Sequence, residues 1–151
     1  MFRPGLLLLV LALAAGCGGG GDGGGSSTTE QPAQGANTGA SILKKAGLEP
    51  CATHTITGAA WVGTGLVQAQ QAVVAPDCDN APKIPTTMSA YTFNTQENAT
   101  SSAKAAKKAQ PNAVVFVPTA PPYTTTVIVL SGPNQEQYAA NIQKALPGGT
   151  S

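Results

Sequence analysis

Hydropathy changes character twice along the chain. Residues 6–15 are ten consecutive apolar positions. Residues 18–39 hold almost nothing apolar, being mainly Gly, Ser, Thr, Gln, Ala and Pro. From residue 40 onward, apolar and polar positions recur with the periods of helices and strands. At 41–47, Ile42, Leu43 and Ala46 share a helical face, Gly47 is a good terminator and Pro50 enforces the stop. The β-branched stretch Thr-His-Thr-Ile-Thr at 53–57 reads as a short strand. Residues 66–74 fit two patterns: Leu66, Ala69 and Val73 on a helical face, or Val67, Ala69 and Val73 in alternation. Strand is favoured, because Pro76, Asp77, Asn80 and Pro82 close the segment quickly.

The second half is clearer. Residues 88–93 alternate, with Ser89, Tyr91 and Phe93 on one face and Met88, Ala90 and Thr92 on the other. A helix then runs to about Gln110, where Pro111 ends it. Asn94 is its predicted N-cap, with Glu97 at the capping-box position. Its predicted buried stripe is Ala99, Ala103 and Ala106, small enough for close approach to a sheet, while Lys104, Lys107 and Lys108 fall on the wet side. Residues 113–117 and 124–130 are strands joined by a turn-rich link. Residues 134–146 form a helix with Tyr138, Ile142, Ala145 and Leu146 on one face, and Asn134 with Gln137 offer its cap. No final strand is predicted after Leu146, and 148–151 read as a frayed tail.

From residue 88 the order is therefore β-α-β-β-α. With the earlier strand this predicts an α+β fold: a small, mostly antiparallel sheet with helices packed on one face. The expected organisation is a signal peptide at 1–16, an anchor and tether at 17–39, a single domain at 40–147 and the tail. About 110 residues remain for folding, enough for one modest core.

The N-terminal run is too short to cross a bilayer, which takes roughly 20 residues of helix. It follows a basic start, Met1 and Arg3, and ends in Leu13-Ala14-Ala15-Gly16-Cys17. A positive start, a short apolar core and small residues form the plan of a secretory signal. These residues resemble the bacterial lipoprotein signal, whose lipobox ends in a small residue and Cys. The resemblance implies cleavage before Cys17, a diacylglycerol on its thiol with further acylation such as palmitate, and a place on the extracytoplasmic face of the cell membrane. Two or three acyl chains anchor firmly where one is marginal. A flexible coil of about 22 residues then spans roughly 25 Å, so the domain is expected to stand off the membrane but near it.

Charge and cysteine counts refine this reading. Of eight basic residues, Arg3 departs with the signal, leaving seven Lys and no Arg against seven acids. Nucleic-acid binding needs a basic footprint and favours Arg as base reader, so it is not expected. With Cys17 assigned to lipid, Cys51 and Cys78 remain as an even pair, and an exported domain makes them an expected disulfide.

Candidate chemistry is sparse. His54 is the only histidine, and its near-neutral pKa suits a general base if a nucleophile or orienting acid is close. A Cys51–Cys78 bond would bring the His54 and Asp77/Asp79 regions together, the basis for reading the chain as a small exported hydrolase or transferase. A histidine in a Thr-rich strand is more commonly a plain strand residue. Asp77-Cys78-Asp79-Asn80 resembles a fragment of a calcium loop but lacks the remaining ligands, so no metal is expected, nor any cofactor. Gly63-Thr64-Gly65 is too short for a phosphate cradle. Asn98-Ala99-Thr100 is a formal sequon set inside a helix.

A second resemblance rests on 89–93 (Ser-Ala-Tyr-Thr-Phe), Gln96-Glu97-Asn98-Ala99 and 127–133 (Val-Ile-Val-Leu-Ser-Gly-Pro). These are similar to a SPOR domain, a small envelope module of β-α-β-β-α-β form. The resemblance implies peptidoglycan as ligand. The favoured expectation is broader: a lipid-anchored, non-enzymatic module that binds another envelope protein or the cell wall.

Overall fold

The computed structural model describes residues 39–75, 77–146 and 148–150. The expected signal peptide, Cys17 and nearly all of the tether lie outside the described residues. The elements are α1 (Gly39–Lys45), β1 (Pro50–Thr55), β2 (Leu66–Val74), β3 (Thr86–Phe93), α2 (Gln96–Ala109), β4 (Val114–Pro118), β5 (Thr126–Ser131), α3 (Gln135–Ala145) and β6 (Gly148–Thr150). A single turn of 3₁₀-helix (Tyr123–Thr125) leads into β5. The strands form one sheet in the order β1-β2-β3-β5-β4-β6, with every pairing antiparallel. The α+β class and the antiparallel sheet follow the sequence reading, and the ambiguous 66–74 segment is a strand.

The register explains the core. Along β3, Met88 and Ala90 face one side of the sheet, and Tyr91 and Phe93 the other. Along β5, Ile128 and Leu130 oppose Val127 and Val129 in the same way. Central strands buried on both faces read as nearly continuous apolar runs. Each face therefore needs a cover. Ile42 and Leu43 of α1, with Tyr138, Ala139 and Ile142 of α3 and Leu146 just after it, cover the first face. Ala99, Ala103 and Ala106 of α2 cover the second.

This corrects the expectation that the helices share one face. Chain direction gives the reason. The β3–α2–β4 crossover steps over β5, and the β5–α3–β6 crossover steps over β4, in the same direction across the sheet. Because β3 and β5 are antiparallel, the right-handed rule for such crossovers sends the two helices to opposite faces.

The frayed tail is also corrected. Gly148, Gly149 and Thr150 pair with Pro118, Val117 and Phe116, so a sixth strand follows Leu146. It contains no apolar residue, and its backbone pairing leaves no periodic trace in the sequence.

Capping differs in detail from expectation. The N-cap of α2 is Thr95, not Asn94: Thr95 Oγ1 accepts from Asn98 N at 3.2 Å. Asn94 instead accepts from Asn98 Nδ2 at 2.9 Å. Asn134 does stand at the N-cap of α3, but in the left-handed region (φ 61°), and its side chain makes no capping bond. The alanine stripe of α2 is buried as predicted, together with Ser102.

Candidate functional site on the open corner of the sheet

α2 lies over β3, β5 and β4 on the second face. Residues 56–66 cover the adjoining end of β2 and β3, with Ile56, Ala59, Trp61, Val62 and Leu66 packed against that core. The corner over β1 and the far half of β2 is left more open: His54 is exposed and Gln71 and Val73 are half-buried.

A hydrogen-bonded row crosses this corner. Register places His54 opposite Gln71, and Gln71 opposite Ser89. His54 Nε2 lies 2.9 Å from Gln71 Oε1, and Gln71 Nε2 donates to Ser89 Oγ at 3.2 Å. The amide orientation makes Gln71 Oε1 the acceptor, so a neutral His54 carries its proton on Nε2 and keeps Nδ1 as its remaining acceptor. Ser89 is buried and also bonds the Tyr91 hydroxyl two residues along β3. Burial pushes the Tyr91 phenol above its ordinary value of 10.0, and the Ser89 bond opposes that shift. Trp61 closes this end by packing edge-on against Tyr91, ring centres 4.7 Å apart. Trp61 Nε1 is buried without a hydrogen-bond partner among the described residues.

Chemically the row orients groups but relays no proton. A carboxamide is not basic enough to shuttle protons near neutral pH, and Gln71 donates to Ser89 rather than accepting from it. The imidazole is one full side chain away from the serine, so the two do not form a nucleophile–base pair, which requires direct hydrogen-bond contact.

Cys51 and Cys78 are joined, with Cα atoms 5.1 Å apart. The bond ties the start of β1 to the turn at 77–80, whereas His54 is bonded to Gln71 further along the strand. Each strand residue advances roughly 3.3 Å, which places His54 about 10 Å along β1 from Cys51. Asp77 Oδ1 accepts from Asp79 N at 3.0 Å and Oδ2 from Asn80 Nδ2 at 2.7 Å. These bonds hold its carboxylate below the usual value of 3.8, the Asn80 bond contributing most. Asp77 is thus a turn-forming residue. No cluster of three or more His, Cys, Asp or Glu side chains suited to a metal occurs among the described residues. Lys104, Lys107 and Lys108 are exposed on α2, and Asn98 of the sequon is bonded to Asn94 and Thr95.

Gln71, Ser89 and Trp61 were not legible as site residues. Their association depends on register across β1, β2 and β3, and a one-residue slip would send Gln71 to the other face. No helix among the described residues is long and apolar enough to cross a membrane. Comparison with known protein families, with curated proteins and with solved structures finds no match.

Proposed function

We propose that the chain is a lipid-anchored, exported binding module, held at the outer face of the cell membrane through Cys17 and engaging an envelope component without catalysis. The observation that carries this reading is the Cys51–Cys78 disulfide, because such bonds form and persist in oxidising, exported compartments. It accords with the N-terminal resemblance to lipoprotein signals. The non-enzymatic part is supported by the His54–Gln71–Ser89 row, in which an amide separates imidazole from hydroxyl. The binding surface in this reading is the open corner around that row. Mass spectrometry of the mature N-terminal peptide tests the anchor: Cys17 should be residue one, thioether-linked to diacylglycerol. An unmodified Cys17, or cleavage elsewhere, refutes it. A turnover abolished by His54→Ala would refute the non-enzymatic reading in favour of an exported hydrolase or transferase.

A second reading, peptidoglycan as the ligand, gains support from β6. That strand completes the order β-α-β-β-α-β from β3 onward, the order implied by the SPOR resemblance. It rests on element order, since no family or structural match accompanies it. Co-sedimentation of the full chain in detergent with purified cell wall tests it, and failure to sediment removes this ligand while leaving the anchored-module reading in place.

A further inference from the structure

The loop between β2 and β3 is held at both ends and fully presented in the middle. Every residue from Asp77 to Ile84 is exposed. Ile84 is 74% exposed, well beyond Val67 at 43%, the other large exposed apolar side chain among the described residues. On the upstream side, Cys78 is bonded to Cys51 of β1, and Asp77 closes a turn on Asp79 and Asn80. On the downstream side, Thr86 is buried at the start of β3 and its hydroxyl donates to the Pro133 carbonyl. A Cβ on Gly132 would come within 2.9 Å of both Pro85 O and Thr86 Cα, so the chain is tightly packed there. Between these anchors Pro82 and Pro85 flank Lys83 and Ile84, each fixing its own φ, and the chain bends at both central residues.

We propose that residues 79–85 form a substrate-like loop that binds and inhibits a lysine-directed serine endopeptidase. A partner for this loop needs a carboxylate at the base of a deep pocket for the Lys83 ammonium, and an apolar wall for Ile84. It also reads the backbone between them. Serine endopeptidases with an acidic specificity pocket have that combination. The two prolines and the fixed ends reduce the conformational freedom lost on binding.

The same anchoring governs the fate of the attacked bond. The enzyme's serine oxygen adds to the Lys83 carbonyl carbon, the bond to the Ile84 nitrogen breaks, and the serine proton passes through the enzyme's histidine to that nitrogen. The result is an acyl-enzyme on Lys83 and a free amine on Ile84. Neither end departs: Lys83 is close in sequence to the disulfide-bonded Cys78, and Ile84 is two residues from Thr86 in the paired strand β3. The retained amine attacks the acyl-enzyme, the serine leaves with its proton restored, and the peptide bond is remade. Net hydrolysis, which consumes one water, occurs only when water displaces the acyl group first. This inference stands independently of the anchor and of the ligand at the sheet corner.

The test uses the full chain in detergent micelles and trypsin as probe, with residual protease activity read on a chromogenic substrate. Near-equimolar inhibition is expected, with any cleavage confined to the Lys83–Ile84 bond by mass spectrometry. Lys83→Ala should weaken inhibition by at least about 30-fold, the scale of a central contact residue, while Lys83→Arg should retain it. Lys83 is exposed, and unchanged thermal unfolding of both variants confirms intact folding. Absence of inhibition by the unmodified chain, ordinary substrate turnover at Lys83–Ile84, or equal inhibition by Lys83→Ala would each overturn the proposal.

Discussion

Asn94 and Asn98 are joined side chain to side chain, Nδ2 of Asn98 to Oδ1 of Asn94 at 2.9 Å, in the space a Cβ on Gly65 would occupy. Gly65 also sits at φ +81°, and its carbonyl accepts from Asn94 N at 2.9 Å. This contact fastens the end of the 56–66 segment to the start of α2. The segment in turn carries Trp61 onto Tyr91.

Gly65→Ala meets both a left-handed backbone and a blocked side-chain position. It should destabilise the domain by about 1–3 kcal/mol. Chemical denaturation checks this. Gly47→Ala is the informative comparison: Gly47 also has positive φ, but a Cβ placed there would have no atom within 4 Å. The smaller loss expected there isolates the clash from the backbone term.

The disulfide closes a loop between residues 27 apart. Constraining the unfolded chain to that extent is worth roughly 3–4 kcal/mol. Replacing both cysteines by serine should lower the denaturation midpoint accordingly, and reduction should raise the intact mass by two hydrogens. An unchanged mass would show that the bond is absent from the folded protein.

The row on the sheet corner makes a graded prediction. Gln71→Ala removes the partner of both His54 and Ser89. Its cost should be about 1–2 kcal/mol, because Ser89 is buried and loses a donor. His54→Ala, at an exposed site, should cost less than about 0.5 kcal/mol. Equal losses in thermal unfolding would mean that the row is not organised through Gln71.

Two groups give pH dependence of opposite sense. Asp77 titrates below its ordinary 3.8 in the fold, so its contribution is present above that value and is lost as pH falls through the folded pKa. Hydrogen exchange at the Asp79 amide should accelerate, relative to neighbouring amides, on acidification through that range. Tyr91 titrates above 10.0. Its contribution is complete below that value and is lost as pH rises toward the folded pKa. Tyr91→Phe should flatten the alkaline limb of the stability profile.

Much of the fold was legible because strands and helices with a buried stripe write their period into the sequence. The alanine stripe of α2 and the Tyr138–Ile142 stripe of α3 are examples. The alternation of 88–93 was legible, but burial on both faces and helix placement were not. Helix placement depends on strand order and direction, which local periodicity does not encode. β6 escaped because Gly148-Gly149-Thr150 holds no apolar residue to write a strand period into the sequence. The cysteine pair was readable from parity once Cys17 was assigned to the expected lipid. The His54–Gln71–Ser89 row was not, because it exists only once three strands are in register. The partner of His54 was not legible either: register sets it opposite Gln71, three residues along β1 from the disulfide-bonded Cys51.

Detergent phase partition of the full-length protein expressed in a bacterial host tests the proposed lipid tether at Cys17. The mature chain is predicted to enter the detergent phase and to carry lipid on Cys17, and Cys17→Ser to abolish lipid attachment. A wild-type mature protein that stays in the aqueous phase would contradict the lipid tether.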